Sequence, residues 1–330
     1  MKAPRVALVT CQQIPDLDPD DQTLVPALRG LGFDVTVAAW DDPSVDWDRF
    51  DLSVIRSAWD YAPRREEFCA WARGVPRLAN PADVVEWNTD KHYLQELEAA
   101  GVPVVETMWL EPTDPLGSHR LHSRFPALGD FVIKPAISAG SLDAGRYTAN
   151  NAWERGLALQ HTRRLLDAGR TVMLQKYVTS VDSKGEASLV FLSGRFAYGA
   201  HRAAQLSGPD PQVAGGPVLM PPRGSAEGVV AQAGGFVPFR HQAMAPHEAT
   251  PEELNTARAA LKAVGDLVPG LAKAENALLY ARVDLVAGED GPEVMELELT
   301  EPALYMGQAR GGAEIVARAI AARVAAAHRL

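Results

Sequence analysis

The stretch "ARVDLVAGEDGPEVMELELTEP", residues 281–302, reads as two alternating strands around a turn of Gly, Asp and Glu. Pairing "RVDLV" with "VMELEL" around "AGEDGP" brings Val286 near Val294 and sets Asp284 opposite Glu296. The two-residue period then puts Glu298, and with it Val294, on the face of Glu296. Like charges opposed across an antiparallel pair repel. Three carboxylates on one face therefore mean either a solvated surface or a divalent cation among them. Mg²⁺ takes hard oxygen ligands, commonly one or two carboxylates plus phosphate oxygens. Arg282 lies on the same face, two positions before Asp284. Taken alone, the hairpin supports both readings.

Other residues could complete a site. Lys134 ends the apolar run "FVIK" just before a proline, where an inward-pointing lysine suits an anion. Close behind it, "SAGSLDAG" (138–145) has the small residues that let backbone N–H groups converge on a phosphate. "LQKYVTSVD" (174–182) ends a strand in a polar elbow carrying Asp182. "RSAWD" (56–60) sits at the carboxyl end of a strand, where ligands collect in open α/β sheets, which makes Arg56, Ser57 and Trp59 candidate substrate contacts. Arg202 at a strand end could meet a carboxylate, and Thr300 and Glu301 follow the acidic pair. For each, the plain alternative is a surface or packing residue.

The elements that must position these groups follow from periodicity. "RVALVT" (5–10), "DVTVAAW" (34–40) and part of "FDLSVIRSAWDY" (50–61) read as strands, with helical spacing of Leu24, Val25, Leu28 and Leu31 between the first two. That order suggests an open parallel sheet. A helix is expected over 88–102, capped by Asn88 or Thr89 and ended by Gly101. Strands are expected over 104–110, 130–147 (two, around the small-residue loop) and 172–178, with a helix over 151–169. A hairpin over 185–203 turns at Ser193 and Gly194, and helices are expected over 251–267 and 311–328. The stretch 206–250 is rich in Gly and Pro and reads as a lid or an excursion of the fold.

Composition excludes several classes. The net charge of −10 argues against a nucleic-acid partner, and no apolar run is long enough to span a membrane. The two cysteines, Cys11 and Cys69, form no CxxC pair and no disulfide framework, and with no signal-peptide pattern a cytoplasmic setting is expected. Neither GxGxxG after the first strand nor GxxxxGK[ST] occurs, and the eight histidines lack zinc-site spacing.

In this order, "NTDKHYL", "VIKP", the glycine-containing loop, "LQKYV" and the Asp…Glu-x-Glu set resemble the ATP-grasp superfamily. The segments "VTCQQIPDLDPDD", "IRSAWDY", "GEASLVFL" and "ELELTEPALYM" are similar to the subgroup that contains the O-ureido-serine cyclo-ligase of D-cycloserine biosynthesis. Glutathione synthetase and RimK-type ligases are more distant likenesses. The resemblance implies an ATP-grasp fold of mixed α/β and α+β class. Its parts would be an open α/β domain over 1–85, a central sub-domain over 86–180 and a C-terminal sub-domain over 181–330.

Carried onto this chain, the resemblance implies that Lys91 and Lys134 contact ATP phosphates, covered by Ser138, Ala139, Gly140 and Ser141. Gln175, Lys176 and Val178 would meet the adenine and Asp182 the ribose. Asp284, Glu296 and Glu298 would hold two Mg²⁺ ions, for which Mn²⁺ could stand in, and Arg282 would act with Lys134 on the transferring phosphoryl group. The implied activity is an ATP-dependent carboxylate–amine ligase or cyclo-ligase. It would act on an amino-acid-like small molecule through an acyl phosphate, releasing ADP and phosphate. A small-molecule kinase and a non-catalytic ATP-binding regulator are the alternatives. A homodimer is compatible with the resemblance. Which carboxylate and which nitrogen react, and whether within one molecule or between two, is not written in the sequence.

Overall fold

The structure is a computed structural model that describes residues 3–114, 117–214, 244–269, 271 and 278–328. In chain order its strands are β1 (Arg5–Thr10), β2 (Asp34–Ala39), β3 (Leu52–Ile55), β4 (Leu78–Ala79), β5 (Thr107–Leu110), β6 (Asp130–Pro135), β7 (Gly145–Thr148), β8 (Val172–Lys176), β9 (Glu186–Leu192), β10 (Arg195–Arg202), β11 (Met244–His247), β12 (Tyr280–Ala287) and β13 (Pro292–Glu298). The helices are α1 (Pro19–Gln22), α2 (Leu24–Gly30), α3 (Arg65–Gly74), α4 (Ala82–Asn88), α5 (Tyr93–Ala99), α6 (Ser118–His122), α7 (Ala152–Asp167), α8 (Ser180–Lys184), α9 (Pro211–Ala214), α10 (Pro251–Leu267) and α11 (Gly312–Ala327). Of the stretch expected to form a lid, 215–243 lie outside the described residues.

Three sheets result. A parallel sheet of order β2-β1-β3-β4 comes from the first 80 residues, as the strand spacing implied. An antiparallel sheet, β5-β8-β6-β7, packs Phe131, Ile133, Leu165 and Leu174 into one core with α7. A larger antiparallel sheet, β11-β10-β9-β12-β13, carries the acidic hairpin. Its inner face joins α5 and α10 through Leu189, Phe191, Val283, Leu285 and Leu297. Burying one large aliphatic side chain contributes about 1.5–3 kcal/mol, so these wide apolar faces fix which side of each sheet looks out.

Two expectations need correcting. The hairpin does pair Asp284 with Glu296, but a β-bulge follows, and Leu285 rather than Val286 meets Val294. A bulge sets two residues against one. Val294 is thereby turned into the apolar core instead of onto the carboxylate face, while Val286 and Met295 share an apolar cluster on the opposite side. The helix expected over 88–102 is shorter, Tyr93–Ala99; Asn88 belongs to the preceding helix, and Lys91 lies in the turn between the two. Asn88 ends the first helix and caps nothing: its side chain accepts from Leu299 N at 2.6 Å and donates to Leu297 O at 2.7 Å.

Candidate active site

Even-numbered residues of the large sheet build the site, because alternation puts them on the face away from the core. Glu186 and Arg202 are cross-strand partners on β9 and β10, joined at 2.6 Å. Arg282 and Asp284 on β12 oppose Glu298 and Glu296 on β13. β13 is an edge strand, and its free backbone groups are held by specific donors and acceptors. Asn88 takes one pair, the Tyr93 hydroxyl accepts from Leu297 N at 3.0 Å, and Val294 bonds backbone groups at Pro103 and Val105. A strand so pinned keeps Glu296 and Glu298 in register.

Facing this sheet across a cleft that opens to solvent are Val132 and Lys134 of β6 and Gln175 of β8. Lys176 and Val178 line the same cleft, as do Ser138, Ala139, Gly140 and Ser141 of the small-residue loop. Gly140 and Ser141 have φ of 62° and 59°, a left-handed turn that glycine adopts without strain. Lys91, only 7% exposed, donates to Ser138 O at 2.8 Å and pairs with Glu296 at 3.2 Å. It ties the loop to the acidic strand. Burial lowers the affinity of Lys134 for its proton, and nearby Glu296 partly restores it.

Asp284, Glu296 and Glu298 offer oxygens that all lie within 4.8 Å of one another. Asp284 is fully buried and takes both oxygens to Arg282, at 2.9 and 2.8 Å, and one to Arg202 at 3.1 Å. Burial, with Glu296 and Asp284 beside it, pushes the Glu298 carboxyl up to about 8 against the pull of Arg282. Burial likewise pushes Glu301 up to about 7. Arg282 and Arg202 hold Asp284 below the usual carboxylate range, and Lys91 and Lys134 do the same for Glu296. An all-oxygen cluster of this kind fits a hard divalent cation.

Several expected contacts lie elsewhere. Arg56 and Ser57 do not line the cleft: Arg56 is fully buried, pairs with Asp21 at 3.1 Å and lies over the Tyr280 ring, and Ser57 donates to Asp21 at 2.8 Å. Arg56 knits the first sheet to the large one, through the Tyr280 ring and the Pro302 carbonyl, while Ser57 stays within the first unit. Thr300 is fully buried and its carbonyl accepts from the Tyr280 hydroxyl. The Asp182 carboxylate is taken by Arg146 and the Tyr177 hydroxyl, and it is not among the cleft residues. Arg282 stands behind the cleft wall with its guanidinium on Asp284, Glu298 and the Ala303 carbonyl. Arg202 is the arginine that reaches the cleft, alongside Trp59, Glu296, Glu298 and Glu301.

Glu186, Tyr61, Asn88 and Tyr93 also line the cleft and were not anticipated. Glu186 could have been read from alternation opposite Arg202, and Tyr61 from its place beside Trp59. The thiols take no part: both are buried, and burial raises Cys11 to about 11.

Two facing antiparallel sheets that hold lysines against a carboxylate cluster are the arrangement of an ATP-grasp ligase, an ATP-dependent enzyme. Comparison with known proteins agrees. Residues 6–80 match the family described as the N-terminal domain of D-cycloserine synthetase DcsG. The chain is 37% identical over 327 residues to the cycloserine biosynthesis protein DcsG of Streptomyces lavendulae, covering 97% of this chain and 98% of that protein. A crystal structure of D-cycloserine synthetase DcsG superposes with a TM-score of 0.77 at 34% identity, over 97% of this chain and 99% of that one. A RimK domain ATP-grasp protein from Sphaerobacter thermophilus shares the fold, with a TM-score of 0.59 at 17% identity and coverage of 95% and 98%. The chain belongs to the D-cycloserine synthetase DcsG family of ATP-grasp ligases.

Proposed function

We propose that the enzyme activates the carboxylate of an amino-acid-like small molecule with ATP and joins it to a nitrogen, as a carboxylate–amine ligase or cyclo-ligase. The observation that carries this reading is one cleft that holds Lys91 and Lys134 together with Glu296 and Glu298, with Lys91 paired to Glu296 and bonded to the loop that would cover phosphates.

In this reading the substrate carboxylate attacks the γ-phosphorus. The bond to the ADP oxygen breaks, and an acyl phosphate forms. The nitrogen then attacks the acyl carbon, loses a proton and expels phosphate. Asp284, Glu296 and Glu298 would hold Mg²⁺, as two ions in the fuller form of the proposal, which supplies neutralising charge at the phosphate oxygens. Lys134 and Lys91 bind the phosphates, and Arg202 adds charge from the cleft wall. Arg282 keeps Asp284 ionised and in place. Gln175, Lys176 and Val178 receive the adenine. Glu186, in the cleft where Asp182 is not, is the better placed carboxylate for the ribose. No side chain need act as a nucleophile, so positioning and electrostatics dominate. The three-part division at residues 85 and 180 belongs to the same proposal.

The test is a panel of O-ureido-serine and free amino acids, with and without an added amine, read by ADP release. Release that depends on a carboxylate substrate supports the reading. Release that no carboxylate stimulates contradicts it.

A further inference from the structure

The cleft contains four carboxylates, and three of them have a cation within ion-pair distance. Glu186 has Arg202 at 2.6 Å, Glu296 has Lys91 at 3.2 Å, and Glu298 has Arg282. The fourth, Glu301, forms no salt bridge among the described residues, although it is only 8% exposed. The Tyr61 hydroxyl stands beside it and favours its charged form. Lys91 attracts it from further away, but that ammonium is already shared between Glu296 and the Ser138 carbonyl. Isolated charges are rarely left buried without a partner, because desolvation costs several kcal/mol.

The geometry holds this carboxylate deliberately in place. Trp59 donates its indole N–H to the Glu301 backbone carbonyl at 2.9 Å, so a residue of the first sheet fixes the turn that presents it. Trp59 and Tyr61, each 3% exposed, form the wall beside it. A buried carboxylate in a cleft, with two aromatic residues lining the same cleft, is the chemistry that receives a protonated amine.

We infer that Glu301, steadied by Tyr61 and Trp59, receives the α-ammonium group of the carboxylate substrate and makes the enzyme selective for amino acids over acids that lack the amine. The inference rests on the ligase reading above and specifies its substrate. With the ammonium held there, the substrate carboxylate is directed back toward the acidic pair and Lys134. Glu301 is a specificity residue: it takes no part in bond making, and its loss is felt in the choice of substrate.

The experiment compares kcat/KM, by ADP release, for each amino acid that is turned over and for the same acid without its α-amino group. Serine is set against 3-hydroxypropanoate, and O-ureido-serine against 3-(ureidooxy)propanoate. The wild type is expected to prefer the amine-bearing acid by about 10²-fold or more, the loss of a buried charge pair. Glu301→Gln, which keeps the shape and the Tyr61 contact, should reduce that preference at least about tenfold through KM for the amino acid. Tyr61→Phe should reduce it less. Thermal melts of both variants separate misfolding from lost selectivity. Equal use of both acids by the wild type, or an unchanged preference in a folded Glu301→Gln, overturns the assignment of Glu301 alone. Silence of the wild type toward every acid of either kind overturns the ligase reading and this inference with it.

Discussion

Lys134 emerges from the carboxyl end of β6 into the cleft, facing a sheet whose carboxylates carry more charge than their arginines balance. Its role in the proposal is electrostatic. Lys134→Ala should lower kcat about 10²–10³-fold, the range for removing one preorganised charge at a reacting centre, while the thermal melt stays unchanged. The carboxylates themselves were legible in the sequence, since alternation alone aligns Asp284 with Glu296 and Glu298. Arg282 was legible as a neighbour but not as a buried one. Nothing in a sequence tells which of two arginines on a face, Arg202 or Arg282, the tertiary packing leaves open to the cleft. Arg56 shows the same limit. Its place at a strand end suggested a ligand, and Asp21, 35 residues earlier, claims it instead.

At the level of elements, the chain turns sharply into β9. Gly185 has φ of 62°, and a Cβ there would stand 2.1 Å from the Arg202 carbonyl oxygen. The glycine lets the backbone pass β10 closely enough for Glu186 to meet Arg202. Gly185→Ala should cost more than about 1 kcal/mol of stability, because it combines a left-handed backbone with a clash. Urea denaturation measures the loss. Most strands and the longer helices were readable from hydrophobic period. The bulge at Met295 was not, since no glycine marks it, and a single extra residue moved Val294 from the site face to the core. The break at Lys91 was hidden for a related reason: "NTDKHYLQELEAA" keeps helical spacing through a turn that only the Ala136 carbonyl, accepting from Lys91 N at 3.0 Å, makes necessary.

The whole molecule is held together by contacts between sheets that sequence periodicity cannot see. Arg56, held by Asp21, lies over the Tyr280 ring and donates to the Pro302 carbonyl, and the Asn80 side chain donates to the Tyr280 and Leu299 carbonyls. Removing one partner of a buried pair leaves an unbalanced charge. Asp21→Ala should therefore destabilise the protein by about 3–5 kcal/mol, seen as a lowered denaturation midpoint. A second buried group sets the acid limit. His161 is fully buried, with the Tyr147 hydroxyl at 2.7 Å from Nδ1 and Asp210 at 3.2 Å from Nε2 but off the line of a hydrogen bond. Arg164 and Asp143 are the other charges that face it. Burial, with Arg164 adding to it, pushes His161 down to about 4 from 6.5. The unfolded chain then binds a proton that the folded one refuses, so the contribution of His161 is intact above about pH 6.5 and is lost from there toward pH 4, while the raised Glu298 and Glu301 act in the opposite direction over the same range. Denaturation of the wild type and of His161→Gln at pH 7, 5.5 and 4.5 isolates that contribution: the wild type should lose stability relative to the variant as the pH falls.

The central claim is that this cleft makes an acyl phosphate from a carboxylate and ATP. Hydroxylamine added to the wild-type enzyme with ATP, Mg²⁺ and a substrate from the panel that stimulates turnover tests it most directly. The account predicts hydroxamate formed at the expense of the amide or ring product, the two together matching the ADP released, and none of these products from Glu296→Gln. ADP released with no hydroxamate, alongside a stable phosphorylated alcohol, would contradict it and identify a kinase.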